Sequence, residues 1–515
     1  MWNKSTIFRI RARSGFFDLY GNFLIFAVNV PHFRIGRIIR GTLVSIIRIC
    51  RNCRIPGKAD LAERAGQDPH IRVGLFDPGT PHRKPINTEP PHIPPVNTSA
   101  CQSKIPVVII RAGNTWDGVS DAPLGSRDIR IEGGVIKEIA ENIPAPEGAE
   151  VINLRDRMVL PGLIDCHVHL TLRPEISPTF WSHSGTYKGL LGAQALQILL
   201  MNGFTTVRDV GDMDLHGYTT RDLKIALAHG IIKGPRLITS GHMISCRGGH
   251  MDVTAALSPY CNAHENCLAD GPDEIRTVVR NEIKWGADWI KYAASGGFAT
   301  PSDDPVVVTY TQEEMDTLVA TAAQLHRPVA AHIHGDDAVR MSVLAGVRSV
   351  EHGAMASKET LALIEEKGVY FVPTQYAGVR SARFADSEAY WDAMGATPEM
   401  RIKMRKYKDL LLETAHHIAK SNVRIAFGTD LGILSYTING AKEFGEMVAN
   451  GITPIRALRG ATSVAAELLM QEDIGTLAPG KCADIIAVCG NPFKDITVME
   501  NVNFVMKAGI VYKQA

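Results

Sequence analysis

The sequence lacks a charge excess of either sign, and its cysteines do not form the framework of a small secreted protein. Its 515 residues carry 55 Lys and Arg against 54 Asp and Glu, a formal net charge of +1. This balance gives no indication of nucleic acid or an acidic surface as a partner. The nine cysteines are scattered and odd in number, which favours a reducing compartment over a disulfide scaffold. Cys261 and Cys267 are close enough in sequence to pair, and the sequence leaves their redox state open.

The first 58 residues contain almost no acidic side chains: eleven Lys and Arg stand against one acid, Asp18. Their longest uncharged run, residues 19–33, has 15 residues, fewer than the about 20 that a membrane-spanning helix needs. An Arg-rich, acid-poor start resembles an organellar transit peptide, and an unstructured extension is the alternative. A basic arm for a membrane or nucleic acid is disfavoured, because the Arg spacing gives no consistent amphipathic stripe. We therefore expect no membrane or nucleic-acid partner and a cytoplasmic protein, with a mitochondrial location as the alternative.

Composition and turn signals divide the rest of the chain. Residues 79–100 are Pro-rich and polar, typical of a linker, so residues 1–103 are predicted to be a basic and then Pro-rich extension, disordered or targeting. Short strand-like segments separated by Gly and Asn turns occupy residues 104–158 and again residues 473–515. These two regions are predicted to form one small β-sandwich. The overall 45% hydrophobic and 21% charged residues are ordinary for a globular enzyme.

Residues 159–472 alternate between strand-like runs and helix-like stretches. One of the helices begins at Thr311, where Glu314 completes a capping box. Eight such units predict an α/β protein built on a (β/α)₈ barrel. The eight strand-like runs are MVLPGLID, TTVRDV, PRLITSG, DWIKYAA, PVAAHIH, RSVEHG, VYFVPT and VRIAFGTD.

Residues capable of metal chemistry stand at the ends of these predicted strands. Active-site residues of such barrels lie at the carboxyl ends of the strands, so these side chains are expected to meet at one rim. In strand order they are His167 and His169, Lys291, His332 with His334 beyond it, His352, and Asp430.

The H-x-H pair suggests how they would act together. Alternate residues of a strand share a face, so His167 and His169 point the same way and can ligate one divalent ion. His332 and His352, on neighbouring strands, are candidates for a second ion. An ammonium repels cations, but the Lys291 amine, once deprotonated and combined with CO₂, becomes a carbamate whose two oxygens can bridge both ions. Asp430 would ligate the first ion and reach the water between them.

Each motif alone has an alternative explanation. An isolated H-x-H is as often structural as metal-binding, and the GTD of Asp430 alone is compatible with a turn or a helix cap. The His352 of VEHG alone is better explained as a satisfied buried histidine. An inward Lys291 alone would be a snorkelling or ion-paired side chain. The metal hypothesis is favoured because all these residues occur at strand ends in barrel order.

This ordered set resembles the amidohydrolase superfamily over residues 104–515, including the closing segment GTLAPGKCADIIAV. The superfamily implies a metal-dependent hydrolase with a distorted (β/α)₈ barrel. TTVRDVG, GADWIKYAASGG, AAHIHG and VEHG are most similar to its branch of prolidase-like carboxypeptidases and ochratoxinase, which is related to imidazolonepropionase. That branch is binuclear and implies as metal ligands His167, His169, carboxylated Lys291, His332, His352 and Asp430.

The resemblance also implies substrate-side residues. RGGHMD, residues 247–252, is similar to the branch's GGHGD loop, with Met251 in place of a glycine. His250 and His334 are candidates for holding the substrate, and Arg247 and His250 for receiving its carboxylate. Tyr292 and Ser295 are weaker candidates, for which a structural role is the better interpretation.

The implied reaction is hydrolysis of an amide or peptide bond by a hydroxide held between two divalent ions, with zinc as the default metal. Asp430 would carry the proton to the leaving amine, and His334 is grouped with it as catalytic. The substrate would be a dipeptide, an Xaa-Pro dipeptide or an N-acyl amino acid such as ochratoxin, and the protein a homo-oligomer. The alternatives are a mononuclear deaminase or cyclic-amide hydrolase, which would lack the bridging lysine, and a metal-free scaffold.

Overall fold

The computed structural model describes residues 7–12, 15–20, 23–25, 107–174, 178–253, 267–301 and 303–514. The chain divides into two compact units, residues 1–97 and 98–515. In the first unit, three antiparallel strands form one sheet: β1 (Ile7–Ala12), β2 (Gly15–Tyr20) and β3 (Phe23–Ile25). The predicted Pro-rich linker at 79–100 and Cys261, one half of the possible cysteine pair, lie outside the described residues.

The second unit opens with four strands that contain both buried and more exposed positions. They are β4 (Val108–Thr115), β5 (Arg127–Glu132), β6 (Val135–Ala140) and β7 (Glu150–Pro161). β4 and β5 pair antiparallel, whereas β4 and β7 pair in parallel. The buried positions of these strands pack into a core of aliphatic side chains, because one face of the sheet is withdrawn from water.

Nine short parallel strands make the barrel. They are β8 (Leu163–Val168), β9 (Phe204–Asp209), β10 (Arg236–Thr239), β11 (Met243–Ile244), β12 (Ile290–Ala293), β13 (Val329–Gly335), β14 (Ser349–Met355), β15 (Tyr370–Val372) and β16 (Arg424–Ile425). β8, β9 and β10 pair side by side, and so do β11 to β16 in order.

Two sets of backbone hydrogen bonds join these sheets into a ring. The N–H of Asp288, just before β12, donates to the carbonyl of Thr239 in β10 at 2.8 Å. On the other side, the N–H of His169 donates to the carbonyl of Leu431 at 2.7 Å, and the N–H of Asp430 to that of His167 at 2.8 Å. β10 and β11 are consecutive and occupy the third position together, so the barrel has eight strand positions, as predicted.

Helices fill the connections between the barrel strands. They are α1 (Pro178–Ser182), α2 (Gly185–Met201), α3 (Thr219–Ala228), α4 (Gly271–Lys284), α5 (Gln312–Gln324), α6 (Asp336–Ala345), α7 (Lys358–Lys367), α8 (Val379–Arg383), α9 (Glu388–Met394), α10 (Pro398–Lys420), α11 (Lys442–Ala449), α12 (Pro454–Gly460) and α13 (Ser463–Leu468).

The sequence signals explain several of these helices. The capping box predicted at Thr311 and Glu314 begins α5, with both reciprocal hydrogen bonds present. The three helices α8, α9 and α10 lie between β15 and β16, a departure from the one helix per strand of a regular barrel. Among the described helices, none has both the length and the apolar character required to span a membrane.

The chain returns to its first sheet at the end. β17 (Ile485–Val488), β18 (Val502–Lys507) and β19 (Ile510–Gln514) complete a seven-stranded sheet in the order β19-β18-β17-β7-β4-β5-β6. β17 pairs antiparallel with β7, from Ile485 opposite Pro161 to Val488 opposite Met158. Strands from both ends of the catalytic region therefore build one β-structure beside the barrel, which confirms that part of the predicted fold.

The predicted first strand MVLPGLID is in fact two strands. β7 ends at Pro161 and β8 begins at Leu163. Proline has no N–H for a continuing ladder, and Gly162 packs so closely that a Cβ there would lie 2.3 Å from Oγ1 of Thr205. A single apolar run thus passes from the outer sheet into the barrel, and it carries the chain directly to His167 and His169.

Candidate active site

The end of β8 brings the two histidines of H-x-H to one carboxylate. The Nε2 atoms of His167 and His169 each lie 3.5 Å from Oδ1 of Asp430. Asp430 has φ = +59° in the short loop after β16, a conformation that aspartate tolerates better than most residues. The pairing of β8 with β9 shifts register between Asp165 and Val168. The H-x-H pair therefore sits on an irregular strand end, and its rings are 5.4 Å apart.

Three more histidines, carried by β13 and β14, converge on the same rim. His332 and His334 alternate along β13, with ring centroids 4.8 Å apart. His352 in β14 lies 4.6 Å from the His332 ring and 4.8 Å from the His167 ring. His352 has φ = +68°, which interrupts the strand alternation, so that both Glu351 and His352 face the histidine cluster. The cluster thus depends on a strained turn of backbone at this position.

Lys291 is fully buried in β12, and its Nζ has no hydrogen-bond partner. Burial lowers the pKa of this amine to about 8. The negative charges of Glu351 and Asp430 raise the pKa, and the positive charge of Arg208 lowers it further. A buried ammonium without a partner is costly, whereas a neutral amine can react as a nucleophile. The position therefore suits a lysine that becomes modified.

The donor atoms present fit divalent cations. Four buried nitrogen atoms at this rim have no partner: Nε2 of His167, Nζ of Lys291, Nε2 of His332 and Nδ1 of His334. Ligand atoms of two residue groups lie within 4.8 Å of one another, namely His332, His334 and His352, and His167, His352 and Asp430. Burial lowers the pKa of His169 to about 3 and that of His332 well below its ordinary value. Neutral imidazoles with free lone pairs are the form that binds metal.

Sequence reasoning missed the side chains that orient these ligands. Glu351 Oε2 lies 2.8 Å from Nδ1 of His167, and its Oε1 accepts a hydrogen bond from Nη2 of Arg208 at 2.7 Å. Oγ1 of Thr374 lies 2.7 Å from Nδ1 of His352. Such partners fix which ring nitrogen is free for a metal. Glu351 lies in VEHG and Arg208 in TTVRDV. The sequence feature that could have indicated both residues is an acidic and a basic side chain within strands predicted to be buried.

His250 and His334, the two histidines expected to hold a substrate, lie beside the histidine cluster. Both line a cavity of about 250 Å³ that also contains His169, His332 and Asp430. The His250 ring stacks on the His332 ring with centroids 4.1 Å apart, and Oγ1 of Thr300 lies 2.7 Å from its Nδ1. Both histidines therefore line the cavity, and their roles in holding a substrate stay predictions.

Three other predicted residues are not brought into this cavity. Arg247 is partly exposed, and its Nη1 bonds Asp270 at 2.5 Å and Glu274 at 2.9 Å. The hydroxyl of Tyr292 donates to Oγ of Ser342 at 2.8 Å, on the side of β12 away from Lys291. Oγ of Ser295 donates to the carbonyl of Gly296 and accepts the N–H of His334. Arg247, Tyr292 and Ser295 therefore lie outside the lining of this cavity, and their roles toward a substrate stay predictions.

The cavity wall is mainly apolar and rich in methionine. No Lys or Arg lines it among the described residues, so of the two residues expected to receive a substrate carboxylate, His250 lines the cavity and Arg247 does not. His250 and His334 remain as its polar groups facing the histidine cluster. The methionines in the wall are Met213, Met243, Met251, Met394, Met400 and Met404. Their flexible thioethers adapt to irregular apolar ligands.

The structure is an α/β barrel with a rim of buried histidines that could hold a metal ion, and comparison with known proteins gives its family. Residues 158–512 match the sequence model of the amidohydrolase family, and the chain belongs to this family. It is therefore an enzyme of the class that hydrolyses carbon–nitrogen bonds.

Individual relatives indicate one branch of the amidohydrolase family. The ochratoxinase of Aspergillus niger is 30% identical over 435 residues, which cover 79% of this chain and 87% of that protein. A crystal structure of a Xaa-Pro dipeptidase with bound methionine in the active site is 35% identical, with a TM-score of 0.73, and covers 79% of this chain and 100% of that one. The crystal structure of A. niger ochratoxinase has a TM-score of 0.70 at 29% identity, covering 80% of this chain and 96% of that one. The chain is thus similar to the prolidase-like and ochratoxinase-like amidohydrolases.

Proposed function

We propose that the protein is a binuclear metal-dependent hydrolase of amide or peptide bonds whose amine half carries a free carboxylate. The observation that carries this proposal is the convergence of unpartnered buried nitrogen atoms from His167, His332 and Lys291 beside the Asp430 carboxylate. A barrel rim that buries so many unpaired polar atoms would be destabilised unless another group satisfied them.

The residues divide between two cations. His167, His169 and Asp430 would hold the first, and His332 and His352 the second. Lys291, carboxylated on Nζ, would supply an anionic group shared by both. When bound, the two divalent ions, with zinc the expected metal, supply an activated water and a Lewis acid for the substrate carbonyl.

Asp430 is the proposed proton carrier. Burial raises the pKa of its carboxyl, but the nearby His167, His169 and Lys291 outweigh this and hold the pKa below its ordinary value. The carboxylate is therefore ionised and ready to accept a proton from the attacking water. It then delivers that proton to the departing amine nitrogen.

His250 and His334 are proposed to position the substrate. His334 stacks on His352, with ring centroids 5.0 Å apart, and lies edge-on to Phe298 at 4.9 Å. Both rings stand between the metal-ligand candidates and the apolar wall of the cavity. They are the polar groups from which the carboxylate of the amine half would receive hydrogen bonds.

The substrate class follows from the relatives. An ochratoxinase and a Xaa-Pro dipeptidase both match along most of the chain. We propose a dipeptide, a Xaa-Pro dipeptide or an N-acyl amino acid as substrate. The proposal includes a homo-oligomeric protein in the cytoplasm or mitochondrion that needs neither membrane nor nucleic acid.

A hydrolysis screen combined with metal analysis tests this proposal. Purified enzyme is incubated with N-acyl amino acids, Xaa-Pro dipeptides and cyclic amides, and the metal in the same preparation is counted. We expect two divalent ions per chain and release of a free amino acid. One ion per chain with turnover of cyclic amides or amino-purines would favour the mononuclear alternative.

Lys291→Met provides the matched control, because it keeps a long unbranched side chain but cannot take up CO₂. We expect it to lose most bound metal and nearly all turnover while remaining folded. Mass spectrometry of the peptide around Lys291 under non-acidic conditions should show the added CO₂ in the wild type. A Lys291→Met enzyme with two ions and wild-type turnover would refute the bridging role.

A further inference from the structure

The chain segment that follows β12 contacts both histidines proposed to position the substrate. We call residues 296–301 and 303–304 the post-β12 segment. Its Phe298 lines the cavity and lies edge-on to the ring of His334, with centroids 4.9 Å apart. The same segment forms a hydrogen bond with the side chain of His250. The position of this segment therefore affects both residues that would receive the substrate.

Three residues of the segment surround the His250 ring. Oγ1 of Thr300 lies 2.7 Å from Nδ1 of His250, and Oδ2 of Asp303 lies 3.5 Å from the same nitrogen. The backbone of Gly297 approaches so closely that a Cβ there would lie 2.0 Å from Cε1 of the ring. Because Nδ1 faces the segment, Nε2 is the ring nitrogen that is left for a substrate.

Lys403 of α10 binds these same three residues. Its Nζ donates to the carbonyl of Gly297 at 2.9 Å, to Oδ1 of Asp303 at 3.0 Å, and to the carbonyl of Thr300. Lys403 is 8% exposed. A lysine ammonium has three hydrogens to donate, so one buried side chain uses all of them on the residues that surround His250.

Asp303 connects the lysine with the imidazole. Its Oδ1 accepts from Lys403, and its Oδ2 accepts the backbone N–H of Gly297 at 3.1 Å on the side of His250. Burial raises the pKa of the Asp303 carboxyl, but His250 and Lys403 more than offset this and hold the pKa below its ordinary value. Loss of the ammonium would leave a buried carboxylate without its cation, which is unfavourable, so the segment is expected to move.

A second lysine of α10 makes a similar bond in a different setting. Nζ of Lys406 donates to Oδ2 of Asp304 at 2.9 Å, and the hydroxyl of Tyr407 donates to Oδ1 of the same carboxylate at 2.6 Å. The Lys406 side chain is 57% exposed, and exposed ion pairs contribute little to stability. Asp304 also keeps the bond to Tyr407 if Lys406 is replaced. Lys406 is therefore a matched control for Lys403.

We propose that Lys403 is a positioning residue for substrate binding: it fixes the post-β12 segment and thereby directs the His250 ring toward the substrate carboxylate. Lys403 acts through this segment, since it lies outside the lining of the cavity among the described residues. The proposal gives the chain between β15 and β16, which carries α10, a role in the active site. It rests on the proposed function, in which His250 receives the carboxylate.

Lys403→Met tests this role, because it keeps an unbranched side chain but removes the ammonium. Steady-state kinetics use the N-acyl amino acid or dipeptide with the highest kcat/KM in the hydrolysis screen. We expect KM to rise about tenfold, the effect of losing one charge-assisted hydrogen bond, while kcat and bound metal stay unchanged. Lys406→Met should keep the wild-type KM. An unchanged KM in Lys403→Met, or an equal rise in both variants, would overturn the proposal.

A substrate analogue distinguishes positioning from a general loss of structure. The carboxamide of the same substrate lacks the charge that His250 is proposed to receive, so the wild type should favour the free carboxylate in kcat/KM. Lys403→Met should reduce this preference about tenfold, because its His250 ring no longer faces the carboxylate. A merely structural defect would lower kcat/KM for both compounds equally, and that result would refute the positioning role.

Thr300→Val is the second variant if Lys403→Met does not fold. Valine keeps the shape of the threonine side chain but removes the hydroxyl that lies against Nδ1 of His250. With Lys403 still in place, Thr300→Val should lose the preference for the free carboxylate about fivefold, the size of one net hydrogen bond. A wild-type preference in Thr300→Val would refute the link between the post-β12 segment and His250.

Two measurements that need no turnover separate this proposal from the proposed function. Amide hydrogen exchange of the post-β12 segment and modification of His250 by diethyl pyrocarbonate are both followed by mass spectrometry. Both should be several-fold faster in Lys403→Met than in the wild type, and unchanged in Lys406→Met. If no amide is hydrolysed, the proposed function is wrong, but these rates would still support Lys403 as the residue that fixes His250. Equal rates in all three proteins would reject it.

Discussion

Oε2 of Glu351 lies 2.8 Å from Nδ1 of His167, and both side chains are completely buried. This contact selects the tautomer with hydrogen on Nδ1 and leaves Nε2 of His167 free toward Asp430. Burial raises the pKa of the Glu351 carboxyl, but Arg208 and His167 outweigh burial and hold that pKa well below its ordinary value. The carboxylate is therefore ionised and acts as a fixed acceptor for His167.

Glu351→Gln should reverse the His167 tautomer. The glutamine oxygen would keep the bond to Arg208, and its NH₂ group would then donate to Nδ1, so the ring hydrogen moves to Nε2. We expect metal affinity and kcat/KM to fall about 10- to 100-fold, measured by metal titration and steady-state kinetics. Ser349→Ala, which removes another bond to the same carboxylate, should bind metal normally. Equal metal affinity in Glu351→Gln and the wild type would contradict this mechanism.

Asp430→Asn should separate metal binding from proton transfer. Asparagine tolerates the φ of +59° found here, so the backbone need not change. Its amide oxygen can still face the cations, but it cannot accept a proton. We expect the metal content to be retained and kcat to fall about 10²- to 10⁴-fold. Wild-type kcat in a metal-replete Asp430→Asn enzyme would rule out the proposed role.

Gly297→Ala should displace His250. A Cβ at Gly297 would lie 2.0 Å from Cε1 of the His250 ring, so the ring must move away from His332. We expect KM for the substrate to rise about tenfold or more, the loss of a charge-assisted hydrogen bond, with bound metal unchanged. Gly445→Ala is the control, because a Cβ there meets nothing within 4 Å. An unaltered KM in Gly297→Ala would show that His250 does not contact the substrate.

His242 should make folding stability depend on pH. Its Nδ1 lies 3.1 Å from Oε1 of Glu282, and its Nε2 lies 2.9 Å from the carbonyl of Asp214. Burial lowers the pKa of His242, but Glu282 and Asp212 more than offset this and raise the pKa to about 9. The protonated ring is therefore favoured in the folded state, so its contribution is complete below the ordinary pKa of about 6.5 and is lost as pH rises through 9.

The measurement is the free energy of unfolding of the wild type and His242→Gln across this range. Their difference should shrink by about 3 kcal/mol between pH 6 and pH 10. Other groups titrate in the same interval, and the comparison with the variant removes their contribution. A difference that stays constant with pH would mean that His242 is neutral in the folded protein.

Much of the architecture follows from local sequence patterns. Seven of the eight predicted strand runs fall on barrel strands, and MVLPGLID is divided between β7 of the outer sheet and β8 of the barrel, because buried parallel strands leave short apolar segments between helix signals. The rule that functional residues stand at strand ends also indicated which side chains would meet. Their roles as metal ligands stay predictions, which the experiments above test.

The features of the site that the sequence did not predict depend on contacts between distant parts of the chain. Glu351 and Arg208 are 143 residues apart, and no local pattern connects them. His352 faces the centre only because its φ is +68°, which strict strand alternation does not anticipate. Arg247 stands two residues from Gly249 in the loop that resembles a substrate-binding motif, yet Asp270 and Glu274 hold its side chain elsewhere.

The pairing of β7 with β17 has a consequence for how the protein matures. β7 ends two residues before β8, the strand that leads to His167 and His169, and its partner β17 is synthesised about three hundred residues later. β7 pairs with β4 as soon as both have been made, but its second neighbour, β17, is available only when the ribosome has nearly finished the chain. A polypeptide shortened before β17 should therefore expose one edge of β7, and we expect it to be less stable than the full chain.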